Sequence, residues 1–395
     1  MYKEVKEILK KYSKENNIFL TTKVTACILG TLIVIDKYED EEYQKSVMER
    51  LYISKGEMIK RLIKSQQITG LNFFLDQEVM DIIGKMDNED YKKLISFYDG
   101  EEKYGLNLFN KIVALNYGED QKEENIEVDK LEFFHKIFDM KDEDTYNDPF
   151  MDKGLLSLYP AYAEDEDFNF VGCETNEEYR KLYKLMDYFL ISSDEEYMSI
   201  YLKDSITNPL EKKNGELRRF DYIITIPPVK SNYSIESLRE DKFQRFNYTK
   251  LGNFKSLDWI YLDHVISTLT DKGKAMVFLP EHLLSDGGEN KAIREALVKS
   301  DIIEKIITLP ENALKKDDKQ MCCFIINKMK NEKGIIEFID LKSLEKMQDY
   351  DYEYYGLKLI SNEVLEKGLE KLSKKYTRES LKEREYNLNI FHSCK

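Results

Sequence analysis

From about residue 155 onward, short β-branched or aromatic runs alternate with helical pattern, and this alternation constrains the fold more than any other feature. The runs are "LLSLY", "FNFVGC", "MSIYL", "FDYIITI", "KAMVFL", "IEKIITL", "MCCFIIN" and "GIIEFID". Helical periodicity fills 176–190, 256–269 and 289–298. Strands separated by helices predict an open, mostly parallel α/β sheet. Ligands of such sheets bind at the carboxyl ends of the strands, so the residues that follow each strand are the candidates for function.

The chain before this region has a different texture. Residues 1–145 read as helical, with Val5, Ile8 and Leu9 on one face of the first segment and no proline before Pro149. The stretch from Tyr350 is polar and reads as a helical tail with a modest basic cluster at Lys371, Lys374, Lys375, Arg378, Lys382 and Arg384. The expected division is a helical domain over 1–145, the α/β domain over 146–349 and a tail over 350–395. With 395 residues, 42% of them hydrophobic, the chain can bury a sizeable core. A net charge of -15 argues against coating nucleic acid by bulk charge, and leaves room for a local basic groove.

Five scattered cysteines have no metal or disulfide spacing, and Cys322-Cys323 in "QMCCFIINK" read as small buried thiols. The four histidines make no metal spacing either, so no metal is expected. The charged opening "MYKEVKEILKKYSKEN" is not a signal peptide, and "VTACILGTLIVI" is too short to span a bilayer. A protein of the reducing cytoplasm, with no membrane partner, is the expectation.

Three strand ends stand out. "FNFVGC" runs into Glu174, where a carboxylate can take both hydroxyls of a ribose. "MSIYLKDSI" reaches Asp204, a possible acceptor for an adenine amino group. Either acid also reads as an ordinary helix cap. "FDYIITIPPVKSNYS" stops on Pro227-Pro228, which turn the chain sharply off the strand.

Taken in order, these segments resemble the N-6 adenine DNA methyltransferases, in particular the modification subunit of type I restriction–modification systems. "VGCETNEEYRKLYKLMDYFL" is similar to their Gly-x-Glu-x-Asn segment and its helix, and "LKDSI" to their Gly-Asp-x-Leu. "FDYIITIPPV" resembles the strand carrying Asn-Pro-Pro-Phe/Tyr. "DWIYLDHVISTLTDKGKAMVFLPEHLLSDGGENKAIREALVKSDIIEKIITLPENAL" resembles the family most fully, and "REYNLNIF" is similar to its closing Asp-Tyr-Asn-Leu-Asn-Ile. The resemblance implies a Rossmann-like class I methyltransferase sheet preceded by an all-helical domain. It also implies S-adenosylmethionine as cofactor, and DNA and a specificity or catalytic subunit as partners.

Two departures shape the functional expectation. The family's opening strand runs into Asp-Pro-Ala-Cys-Gly-Ser-Gly-Gly. Matched to "LSLYPAYAEDEDFNF", that motif keeps Pro160 and Ala161, has Tyr159 for the Asp and loses every glycine, with Tyr162 placed to fill the cofactor's position. In the Asn-Pro-Pro-aromatic motif, Ile226 stands for Asn and Val229 for the aromatic residue beside Pro227 and Pro228. In the family the Asn accepts from the target amino group and the ring stacks on the flipped base. Ile226 offers no acceptor. Asp221 lies at the wrong end of the strand, and Asn232 and Tyr233 follow the motif. The expectation is a degenerate fold that transfers no methyl group and holds Glu174, Asp204, Tyr159 and Pro160 only as a residual cofactor site. Beside it stand an active enzyme with a divergent site, and a protein-binding scaffold suited by 27 tyrosines.

Overall fold

The structure, a computed structural model, describes residues 2–15, individual positions within 82–94 and 134–138, and then 145–151, 169–177, 179–180, 198–228, 233–252, 257–310, 313–314, 320–346 and 371–391. The chain divides into two compact units, one of residues 1–122 and 176–195, the other of 123–175 and 196–395. In the first, helix α1 (Tyr2–Glu15) buries Ile8, Leu9 and Tyr12, three positions of one helical face. The Tyr12 hydroxyl lies 2.9 Å from the carboxylates of Asp87 and Asp90, and the Lys11 ammonium 2.7 Å from that of Asp90.

The second unit is built on a nine-stranded sheet in the order β3-β2-β1-β4-β5-β7-β6-β8-β9. Its strands are β1 (Thr145–Asp148), β2 (Asn169–Glu174), β3 (Met198–Leu202), β4 (Phe220–Thr225), β5 (Leu269–Pro280), β6 (Ile303–Thr308), β7 (Met321–Asn327), β8 (Ile335–Asp340) and β9 (Ser373–Thr377). β1 pairs in parallel with β2 and with β4, and parallel pairing continues to β3 and β5. β7 is antiparallel to both β5 and β6. Met321 to Ile326 of β7 are all buried, because an interior strand covered on both faces has no solvent side on which to place polar residues.

The first strand differs from expectation. The strand between β2 and β4 is "TYND", ten residues before "LLSLY", and residues 155–159 lie outside the described residues. A strand this polar can be central because the side chains of Thr145, Asn147 and Asp148 are hydrogen-bonded. The Asn147 amide donates to Val171 O at 2.6 Å, and Thr145 is bonded to Asp221. The tail also differs. β9, read as helical from its polar composition, pairs antiparallel with β8 and lays Tyr376 edge-on to Phe338 at 5.5 Å. Helix α5 (Arg378–Glu383) follows, its first turn capped by the Thr377 hydroxyl. An outer strand keeps lysines on its open side without penalty, so composition alone does not mark it.

The other described helices are α2 (Ile235–Arg239), α3 (Asp258–Thr268) and α4 (Glu289–Ser300). α3 is buried almost all round and feeds directly into β5. Gly288, the N-cap of α4, has φ 65°, a conformation glycine adopts without the Cβ clash. The closing segment is pinned by the buried Arg294, which donates to Tyr386 O at 2.8 Å and Leu283 O at 2.7 Å.

Two buried charges fasten the 241–250 loop to the rest of the unit. The Arg245 guanidinium donates to Ser205 O, Ile206 O, the Asp241 carboxylate and His264 Nδ1. Burial, then the Arg245 charge, hold the His264 imidazole well below its usual range, so it is neutral and Nδ1 accepts. The Asp263 carboxylate accepts from Tyr248 N, Thr249 N and the Thr249 hydroxyl. Burial nevertheless pushes its pKa up to about 6.

Removing the guanidinium in Arg245→Met strands the Asp241 carboxylate and two carbonyls. We expect a loss of about 3–5 kcal/mol, read from denaturant midpoints. The Asp263 proton is bound more tightly in the folded than in the unfolded chain, so this group's contribution to stability is greatest in acid and falls as pH rises from about 4 to 6. The stability difference between wild type and Asp263→Asn should therefore move against the wild type across that window.

Candidate functional site

The chain runs outward from β1 on one side to β2 and β3, then returns to place β4 on β1's other side. This reversal opens a crevice outside the carboxyl ends of β1 and β4, the place where parallel sheets hold ligands. β1 ends on Asp148, which is buried. Its Oδ1 accepts from the Phe150 N–H at 2.9 Å and from the Thr225 hydroxyl at 2.6 Å. One carboxylate thus turns its own loop and ties the tips of β1 and β4 together.

The next two residues close down on the protein. The Phe150 ring meets Tyr261 edge-on at 4.9 Å. Met151 donates its N–H to Cys173 O and lies over Gly172, where a Cβ would fall 2.1 Å from its sulfur. Gly172 is therefore glycine for close approach.

β2 ends on Glu174, buried, with its carbonyl accepting from Lys203 N. Beside it the buried Cys173 thiol is pushed up to about 11, mainly by burial, and is inert as a nucleophile. Past β3, Asp204 accepts from Ile206 N at 2.8 Å and Thr207 N at 3.2 Å. Oδ1 is thereby engaged in its own turn.

At the tip of β4, Thr225 is buried, Ile226 half-buried and Pro227 buried. Val229 and Asn232 lie outside the described residues, as do Tyr159, Pro160, Ala161 and Tyr162. Tyr233 packs its ring against Tyr261 at 6.3 Å, so it serves the core. Asp221 sits at the opposite end of β4 and accepts from the Thr145 and Thr270 hydroxyls, which places it far from the crevice. Among the described residues no group of three or more His, Cys, Asp or Glu could hold a metal ion, and no helix is long and apolar enough to cross a membrane.

Residues 131–394 match the N-6 DNA methylase family. The chain belongs to that family. Among proteins it resembles, the type I restriction enzyme MjaVIII methylase subunit of Methanocaldococcus jannaschii is 27% identical over 285 residues, 67% of this chain and 48% of that protein. The MjaVII methylase subunit of the same organism is 26% identical over 93% of this chain and 69% of its own length. The chain thus spans about half of the first relative. In fold it is similar to the type I restriction–modification system methyltransferase subunit from Streptococcus thermophilus, with a TM-score of 0.64 at 16% identity over 98% of each chain. It is also similar to a modification subunit from Vibrio vulnificus, with a TM-score of 0.59 at 13% identity over 95% of this chain and 92% of that one.

β1, the strand between β2 and β4, ends on Asp148 and runs into Pro149, while Tyr159-Pro160 lie outside the described residues. Phe150 and Met151 follow, and both are buried. Around the crevice, β2 thus ends on the buried carboxylate of Glu174, and the bulky, buried Phe150 and Met151 follow β1. Sequence reasoning passed over Thr225 and Tyr261. Polarity at the last position of an apolar strand was the one available signal for Thr225.

Thr225→Val keeps the shape of the side chain and removes the donor. The variant should lose about 1.5–3 kcal/mol, the value of a hydrogen bond to a charged group, read by chemical denaturation.

Proposed function

We propose that this chain is a modification-subunit-type member of the N-6 DNA methylases that has kept the fold and given up methyl transfer. It serves as a structural or DNA-engaging subunit in DNA modification, restriction or defence. Ile226 carries this reading. It occupies the position before Pro227-Pro228 from which the family's Asn accepts the target amino group, and a hydrocarbon side chain cannot accept. Losing one positioned polar group of this kind costs about 3–4 kcal/mol of barrier, a factor of about 10²–10³. The replacement of small residues by Phe150 and Met151 works in the same direction, against the methionine end of a cofactor.

A second reading is favoured by a specific observation. Asp148-Pro149 and the buried Glu174 retain polar groups that an S-adenosylmethionine enzyme of this family would use. Under that reading the chain is an adenine-specific DNA methyltransferase with a divergent site. Its relatives are named as subunits of type I restriction enzymes, which supports a protein partner, a specificity or a catalytic subunit, alongside DNA.

Calorimetric titration with S-adenosylmethionine separates the readings. We expect no micromolar binding, and no labelled methyl group transferred to duplex DNA by the wild type or by Ile226→Asn, since the loop after β1 is altered as well. Label on adenine would return the chain to the enzymes. Duplex DNA should bind at low salt and be released as salt rises, because phosphate contacts release counterions. No affinity at low salt would leave a protein scaffold.

A further inference from the structure

Tyr261 and His264 lie three positions apart on α3 and so share one face of the helix. Three crevice loops converge on that face. The loop after β1 delivers Phe150, whose ring centroid lies 4.9 Å from that of Tyr261 and 5.6 Å from that of His264. The segment after the double proline delivers Tyr233, edge-on to Tyr261 at 6.3 Å. The loop after β3 is reached through Arg245, which lies 2.7 Å from His264 Nδ1 and donates to Ser205 O at 2.8 Å and Ile206 O at 2.6 Å. The Asp148–Thr225 bond adds a polar link between two of the same loops.

We propose that the Tyr261–His264 face is a keystone that sets Phe150 and Met151 after β1, Ser205 and Ile206 after β3, and residues 233–239 after β4 as one cooperative unit, with Tyr261 as a positioning residue for all three. Loosening one loop is felt at the others through a ring that touches both, since edge-to-face aromatic pairs hold orientation as well as area. This coupling is independent of whether the crevice carries methyl transfer.

Amide hydrogen exchange on the full chain tests it by perturbing one loop and reading another. Phe150→Leu removes a ring that the Tyr233 segment does not itself touch in the observed pairs. Exchange over 233–239 should nevertheless quicken about fivefold to tenfold, the scale of one aromatic pair, with β6 and β7 unchanged. Tyr233→Leu, a change at a partly exposed residue, should conversely loosen the amides of Phe150 and Met151. Tyr261→Leu should loosen both segments, and Tyr261→Phe, which keeps the ring, should restore wild-type exchange. Wild-type exchange at the unmutated loop overturns the proposal. So does a Tyr261→Phe variant that behaves like Tyr261→Leu, or uniform acceleration that includes β6 and β7.

Discussion

The bond between the Asp148 carboxylate and the Thr225 hydroxyl is the constraint around which the crevice is arranged. Neighbouring parallel strands at a topological switch point diverge into separate loops, and nothing in the sheet ladder holds their tips together. Here a single buried acceptor does so, and it uses the same oxygen to fold its own loop onto Phe150 N. The geometry that follows is tight. The first residues past the strand lie against Tyr261 and Gly172. Burying a carboxylate is tolerable only because these donors replace water.

Much of the fold was legible. β2 to β8 announced themselves as β-branched or aromatic runs, and the order of motifs along them carried the family. Helices α3 and α4 followed from periodicity. What escaped notice was polar and buried. "TYND" lacks the apolar signature of a central strand, yet Tyr146, Asn147 and Asp148 are all buried, with Asn147 bonded across to β2. The apolar "LLSLY" offered a stronger signal, and it lies outside the described residues together with Tyr159. Sequence periodicity reports solvent exposure, and it fails where side-chain hydrogen bonds substitute for hydrophobicity.

The site was legible in proportion to how local its chemistry is. Ile226 before two prolines could be judged from residue type alone, because a hydrocarbon lacks an acceptor in any fold. Asp204 was ambiguous between a cap and a ligand, and its Oδ1 accepts from Ile206 N and Thr207 N within a turn. Tyr261, Arg245 and Asp263 gave no sign, since each acts on segments brought near only by folding. Asp263 binds a loop 14 and 15 positions away, and Arg245 reaches 39 and 40 positions back to Ile206 and Ser205.

The outermost strand has a consequence for the molecule's behaviour in a crowded cell. β9 presents Lys374 and Lys375 beside the apolar β8, whose Ile336, Phe338 and Ile339 are buried. A chain clipped ahead of Ser373 would bare the hydrogen-bonding ladder of a greasy strand, and such margins template sticking between molecules. The basic tail therefore behaves as a hem, keeping the fabric of the sheet from fraying into aggregates.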